Sequence, residues 1–172
     1  MPPSIDRRLH RSAGRARRGN TVLLSVVATA MIVALAVVCV GGAMAQNRRA
    51  GASLRAHQER VLRVARQIGV DPWAIDAGRE TYMGTCTACH GPSGQALPGL
   101  GKDLAHSEFV RDLSDGALLM FLKIGRSTWD PMNTTGVEMP GKGGNPMLND
   151  DDLREIVSYL RFLQISAAGG AD

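Results

Sequence analysis

The sequence predicts an all-α protein: a membrane-length N-terminal helix followed by a small helical head built around a group that its side chains do not supply. Three observations carry that expectation. No segment alternates apolar and polar residues with the two-residue period of a half-buried strand. Thr21 to Asn47 contains no charged residue, and Val22 to Val40 is almost continuously Val, Leu, Ala, Ile and Met. Aromatic residues make up only 4% of the chain, and the head contains a long irregular stretch from Ser127 to Leu148, which leaves it short of core material.

Residues 1–20 form a basic segment, in which Arg7, Arg8, Arg11, Arg15, Arg17 and Arg18 stand against Asp6 alone. Residues 21–45 read as a transmembrane anchor, because the apolar run approaches the roughly 20 residues needed to span a bilayer. A secretory signal is the competing reading. Ala43-Met44-Ala45 has the small-x-small form of a cleavage site before Gln46, but the apolar core of a signal runs to only about 7–15 residues. The length favours a retained, single-pass anchor. The arginine cluster places the N-terminus in the cytoplasm, with Arg48 and Arg49 reducing the contrast, and the remainder is then exported. Cys39 reads as a small apolar residue of a membrane helix; Val38 before it does not suit lipoprotein acylation.

Residues 46–70 carry a basic amphipathic stalk helix, with apolar Leu54, Val61, Leu62, Ala65 and Ile68 and with Arg55, Arg60, Arg63 and Arg66 on other faces. Two roles stay open for it, lying near anionic headgroups or docking to a larger membrane complex. Asp71-Pro72 breaks the helix and opens the head, residues 71–165, with 166–172 left as a flexible tail. Asp71 to Asp172 holds eight Lys or Arg against fourteen Asp or Glu, a net of −6. The folded head is acidic although the whole chain has a pI near 9.3, which argues against nucleic acid as a partner.

Within the head, Ala74 to Tyr82 fits a helix, and Gly91 to Lys102, rich in glycine and proline, fits a loop. Ser114 caps a helix that runs to Ile124 and stops at Gly125. The irregular stretch 127–148 contains three prolines and four glycines. Asn149 then caps a final helix, with Asp150, Asp151 and Asp152 in its first turn and an apolar stripe at Leu153, Ile156, Val157, Leu160 and Leu163.

Between the first helix and the first loop lies Cys86-Thr87-Ala88-Cys89-His90. Cys-x-x-Cys-His is the attachment pattern of a c-type haem: two thiols add to the vinyl groups and the adjacent histidine binds the iron. Two intervening residues place the sulfurs about one helical turn apart, near the separation of the vinyls. A zinc site needs two further ligands, and the remaining thiol, Cys39, lies in the apolar run. A thioredoxin-like site expects a preceding strand, which Glu80 to Gly84 does not offer. One covalent haem c also supplies the missing core. For the iron's other side the head offers Met83, Met120, Met132, Met139, Met147 and His106. Met83 is too close to the motif, Met120 reads as helix core, and Met139 sits in the irregular stretch, fixed by Pro140.

These residues resemble the class I monohaem cytochromes c, here in a membrane-anchored bacterial form, over about Trp73 to Gln164. The shared features are Gly78-x-x-x-Tyr82 before the Cys86 to His90 motif, the loop with Leu104, the Met139-Pro140 pair, and Ile156-Val157-Ser158-Tyr159-Leu160. The resemblance implies an all-α, cytochrome c-like domain in which the first and last helices cross closely, with Gly78 and Tyr82 against Ile156 and Tyr159. It makes Cys86 and Cys89 the covalent attachment points and His90 and Met139 the axial ligands, with Met132 and Met147 as alternatives to Met139. Many relatives have a proline before the loop leucine, whose carbonyl accepts the proximal imidazole proton. Gly101-Lys102-Asp103-Leu104 stands there instead, so the expected acceptor becomes the Pro98 or Leu100 carbonyl, with Leu104 in the haem pocket. Trp129, Thr134, Thr135 and Arg126 are candidate donors to a haem propionate, and Lys142 a candidate for steering a partner.

The expected function is one-electron transfer in a respiratory chain, with the haem domain on the periplasmic side of the cytoplasmic membrane. The expected partners are an oxidase, a quinol-oxidising complex or a periplasmic dehydrogenase. The protein is expected to act as a carrier rather than an enzyme. Two alternatives are a permanent cytochrome subunit of a larger redox complex and a gas or redox sensor with a labile Met139 bond.

Overall fold

The computed structural model describes the backbone of residues 7–169 and the side chains of residues 24–169. The side chains of the basic segment 1–20 and the last residues of the expected tail, 170–172, lie outside the described residues. The order of elements is α1 (Arg7–Ile68), α2 (Pro72–Thr85), α3 (Thr87–His90), α4 (Glu108–Asp112), α5 (Asp115–Ile124), β1 (Gly125–Arg126), β2 (Met139–Pro140), a 3-10 turn (Gly141–Gly144) and α6 (Asp150–Ala168). The chain divides into two compact units, Met1–Leu54 and Arg55–Asp172.

The first unit holds the apolar part of α1. Its described side chains from Leu24 to Ala50 are all exposed, and the most apolar window has a mean hydropathy of 2.6, long and apolar enough to cross a membrane.

The second unit opens at Arg55, earlier than the break at residue 71 that the sequence suggests. Val61, Val64 and Ala65 are buried in the same cluster as Ile75, Leu160 and Leu163, while Leu54 and Leu62 stay exposed. Residues 55–68 are therefore part of the head's core, not a free stalk. His57 of this segment packs edge-on against Phe162, with ring centroids 5.8 Å apart.

The centre of the head is the contact of α2 with α6. Pro72 occupies the first turn of α2, where a missing N–H costs nothing, after Asp71 in an extended conformation. Gly78 lies so close to α6 that a Cβ there would fall inside the Glu155 carbonyl. Tyr82 is fully buried, packs on Tyr159 at 5.1 Å and donates its hydroxyl to the Gly91 carbonyl at 2.8 Å. The contact implied by the resemblance is present in these residues.

Asn149 caps α6: its Oδ1 accepts from the amides of Asp151 (2.8 Å) and Asp152 (3.1 Å), and Asp152 Oδ2 accepts from the Asn149 amide at 2.8 Å. Asn149→Ala removes the one oxygen that accepts both amides of the first turn and is expected to cost about 1–2 kcal/mol, read as a lower unfolding midpoint at unchanged m-value. α6 continues to Ala168, so residues 166–168 of the expected tail are helical. Arg161 ties α6 to the α4–α5 corner: Nε pairs with Asp115 at 2.9 Å, and the two terminal nitrogens donate to the carbonyls of Val110 and Leu113. Carbonyls at the end of α4 are thereby satisfied.

Two elements go beyond the expectation. α4 forms in a segment to which the sequence assigns no element, where Ser107 accepts from the Val110 amide and caps it. Within the stretch 127–148, β2 pairs antiparallel with β1, Arg126 opposite Met139 and Gly125 opposite Pro140. Two residues per strand are too few for alternation to show in the sequence.

Candidate functional site

α2 ends at Thr85, and the chain continues through Cys86 into a single turn, α3, with the amides of Cys89 and His90 both donating to the Cys86 carbonyl. Gly91 stops the turn with φ of +73°. The loop then returns on itself: the Ala96 amide donates to the His90 carbonyl and that of Leu97 to the Cys89 carbonyl, both at 3.0 Å. Cys86, Cys89 and His90 thus face one cavity of about 510 Å3, which Leu104 and Met139 also line.

His90 is buried, and its Nδ1 lies 2.8 Å from the Lys102 carbonyl. A carbonyl only accepts, so Nδ1 carries the proton and Nε2 of the neutral ring keeps its lone pair for a metal. Lys102 therefore provides the acceptor, in place of the expected Pro98 or Leu100. Gly101 permits this approach, since a Cβ there would meet the Cys89 carbonyl and come within 3.0 Å of His90 Nδ1. Burial first, and Cys89 second, push the Cys86 thiol up to about 11. At neutral pH it is present as S–H.

Met139 is half-buried and fixed by β2 in its pairing with β1. A Cβ at Gly125 would strike the Met139 carbonyl, so the pairing needs a glycine there, at φ +77°. Of the other methionines, Met132 lines the cavity at 60% exposure, Met147 lies outside it at 84%, and Met120, expected in the core, is 52% exposed. His106 also lines the cavity, with its Nδ1 3.0 Å from Asp103 Oδ2 and its side chain 70% exposed, whereas His90 is buried.

Two expected pocket residues are not brought to the site. Pro98 is exposed and outside the cavity, because the loop turns Leu100 to Leu104 inward instead. Trp129 is 90% exposed and also outside. Its segment is folded on Asn133, whose side chain donates to the Ser127 and Val137 carbonyls at 2.9 and 2.8 Å.

Arg126 is a half-buried cation at the cavity. Its guanidinium sits 4.5 Å over the Phe109 ring and 5.0 Å from that of Phe121, and it lines the cavity. Nη1 donates to the Met132 carbonyl at 3.3 Å. Nε is 3.3 Å from Asp130 Oδ2 without the alignment of a hydrogen bond, so its N–H is buried and unpartnered. A mostly apolar cavity, two free thiols one turn apart, a histidine with its Nδ1 tied back and a guanidinium on the cavity wall whose Nε–H makes no hydrogen bond fit a c-type haem with its carboxylates. A zinc site has no support: among the described residues no group of three His, Cys, Asp or Glu side chains converges.

A family model for "Cytochrome C oxidase, cbb3-type, subunit III" matches residues 74–160, half of the chain. Cytochrome c-555 of Chlorobaculum thiosulfatiphilum is 31% identical over 84 residues, 49% of this chain and 90% of that protein. No solved structure matches. The family match falls on the α2-to-α6 region that builds the cavity, and the chain accordingly belongs to the cbb3-type subunit III family of monohaem c-type cytochromes, with covalently bound haem c serving electron transfer.

Proposed function

We propose that this chain is a membrane-anchored electron carrier of a respiratory chain, with its haem joined to Cys86 and Cys89, ligated by His90 and Met139, and held on the periplasmic side of the cytoplasmic membrane. The observation that carries this reading is the pairing of two preorganised donors on one cavity: an imidazole whose Nδ1–H is fixed by Lys102, and a thioether on a β-paired segment. When bound, the haem supplies one-electron exchange at its iron.

The chain's own residues do the rest. Lys102 orients the imidazole and raises its donor strength through the Nδ1–H bond. Met139 would offer the iron a thioether, a weak donor that would favour the ferrous state and keep small ligands away. Phe109, Leu118, Phe121 and Ile156 keep water from the cavity. Arg126, on the cavity wall with an Nε–H that makes no hydrogen bond, is placed to hold a carboxylate of the haem alongside its ion pair with Asp130.

The test is the ferric absorption spectrum. Wild type is expected to show the weak long-wavelength methionine-to-iron band, and Met139→Ala to lose it entirely while keeping covalent haem. A band that survives the substitution rules out Met139 as ligand. Rapid stoichiometric carbon monoxide binding by the reduced wild type would count for a sensor instead.

A second reading, a fixed cytochrome subunit of a membrane oxidase, is favoured by the family description. Purification in mild detergent separates the two: a lone polypeptide supports the carrier, a stable complex the subunit.

A further inference from the structure

The segment that follows Met139 is held by an arrangement that the ligand assignment leaves unused. Pro140 leads into the turn Gly141–Gly144, where Lys142 (φ 56°, ψ 24°) and Gly143 (φ 63°, ψ 21°) are consecutive left-handed residues. Among the described residues only Ala96 and Lys142 adopt positive φ without being glycine. A side chain is disfavoured in that conformation, and glycines stand at 141, 143 and 144 on either side. The Lys142 side chain offsets that cost by what it binds. Its Nζ donates to the Leu148 carbonyl at 2.6 Å and approaches the Pro146 carbonyl at 3.4 Å. Lys142 is half-buried on the wall of the cavity, so it is not a free surface cation.

The two ends of this bridge matter. One end is three residues after Met139. The other, Leu148, is buried and directly precedes Asn149, the cap of α6. The turn itself presses on the attachment motif, since a Cβ at Gly143 would come within 2.7 Å of the Thr85 methyl and 4.0 Å of Cys86 Sγ. A loop that is otherwise mostly glycine, proline and asparagine, with Met147 and Leu148 at its end, is thereby closed by one charged hydrogen-bond donor.

We propose that Lys142 is a positioning residue for the iron's methionine ligand, an ammonium strap that closes the 141–148 loop onto α6 and keeps the Met139 thioether at the cavity. The inference rests on the proposed Met139 ligation. Lys142 acts through the loop backbone and touches neither the thioether nor the iron.

The experiment uses the full-length haem-loaded protein in detergent, with imidazole as the probe for an opened sixth position. Lys142→Met is expected to bind imidazole about tenfold more tightly than wild type, as loss of a charge-assisted hydrogen bond implies. It is also expected to lose the methionine-to-iron band on warming well before the helices unfold by far-ultraviolet circular dichroism. Lys142→Gly keeps the left-handed backbone without the ammonium and is expected to match Lys142→Met. Lys142→Arg restores part of the wild-type resistance. The strap is overturned if Lys142→Gly resists imidazole as wild type does, because the backbone conformation then suffices, or if band loss and unfolding stay coincident in both variants. Met139→Ala distinguishes the underlying failure: a band that persists there removes the ligand assignment, whereas a band lost there but indifferent to Lys142 removes only the strap.

Discussion

Gly78→Ala is expected to lower the unfolding midpoint of the head by more than about 10 °C, corresponding to roughly 2–3 kcal/mol. Intrinsic propensity points the other way, since alanine is favoured over glycine inside a helix by about 1 kcal/mol. Packing decides the sign. A Cβ at Gly78 would overlap the Glu155 carbonyl and sit 2.9 Å from the Ile156 amide, so α2 and α6 must separate. Their separation loosens Tyr82 from Tyr159 and from the Gly91 carbonyl, and with them the segment that presents Cys86 to His90. Gly84, in the same helix, meets nothing within 4 Å. Gly84→Ala should leave stability unchanged or raise it by a few tenths of a kcal/mol. Thermal unfolding of the two variants, followed by circular dichroism, checks the pair; equal behaviour would dismiss the close approach as the cause.

Gly101→Ala is expected to raise the midpoint potential by about 60 mV, a tenfold shift toward the ferrous state in a one-electron couple. The added Cβ would overlap the Cys89 carbonyl and press on His90 Nδ1, so the 101–103 segment must retreat and take the Lys102 carbonyl with it. An imidazole that no longer shares its Nδ1 proton is a weaker donor, and a weaker donor stabilises ferric iron less. Lys102→Gln changes the side chain and keeps the acceptor carbonyl, so its potential should stay at the wild-type value. Equilibrium redox titration of both variants is the measurement. A potential unmoved in Gly101→Ala with intact haem would mean that the Lys102 contact does not set the donor strength of His90.

Much of the fold was legible because its signals are local. The cap at Asn149, the stop at Gly125 and the apolar stripe of α6 each depend on neighbours within a turn or two, and α5 and α6 begin where those residues place them. The Cys86 to His90 motif is legible for the same reason, since one helical turn fixes its geometry. The start of the head was not legible. Val61 and Ala65 on α1 read as part of the apolar face of a stalk, and nothing in 55–68 announces that they and Val64 are buried in one cluster with residues of α6.

The sequence by itself determined an all-α chain with a membrane-length apolar helix and an attachment motif, because composition, caps and motif spacing are properties of contiguous residues, while the close packing of Gly78 and Tyr82 on Ile156 and Tyr159 was implied only by the family resemblance. Only the tertiary structure decided which carbonyl meets His90, that Leu104 and Met139 line the cavity while Pro98 and Trp129 do not, and that Arg126 is packed on two phenyl rings. It also decided that the Lys142 ammonium meets the Leu148 carbonyl. Those outcomes depend on glycines at 101 and 125 letting distant backbones approach and on side chains crossing from one segment to another. No local pattern records such contacts, since each is made by residues that meet only when the whole head closes.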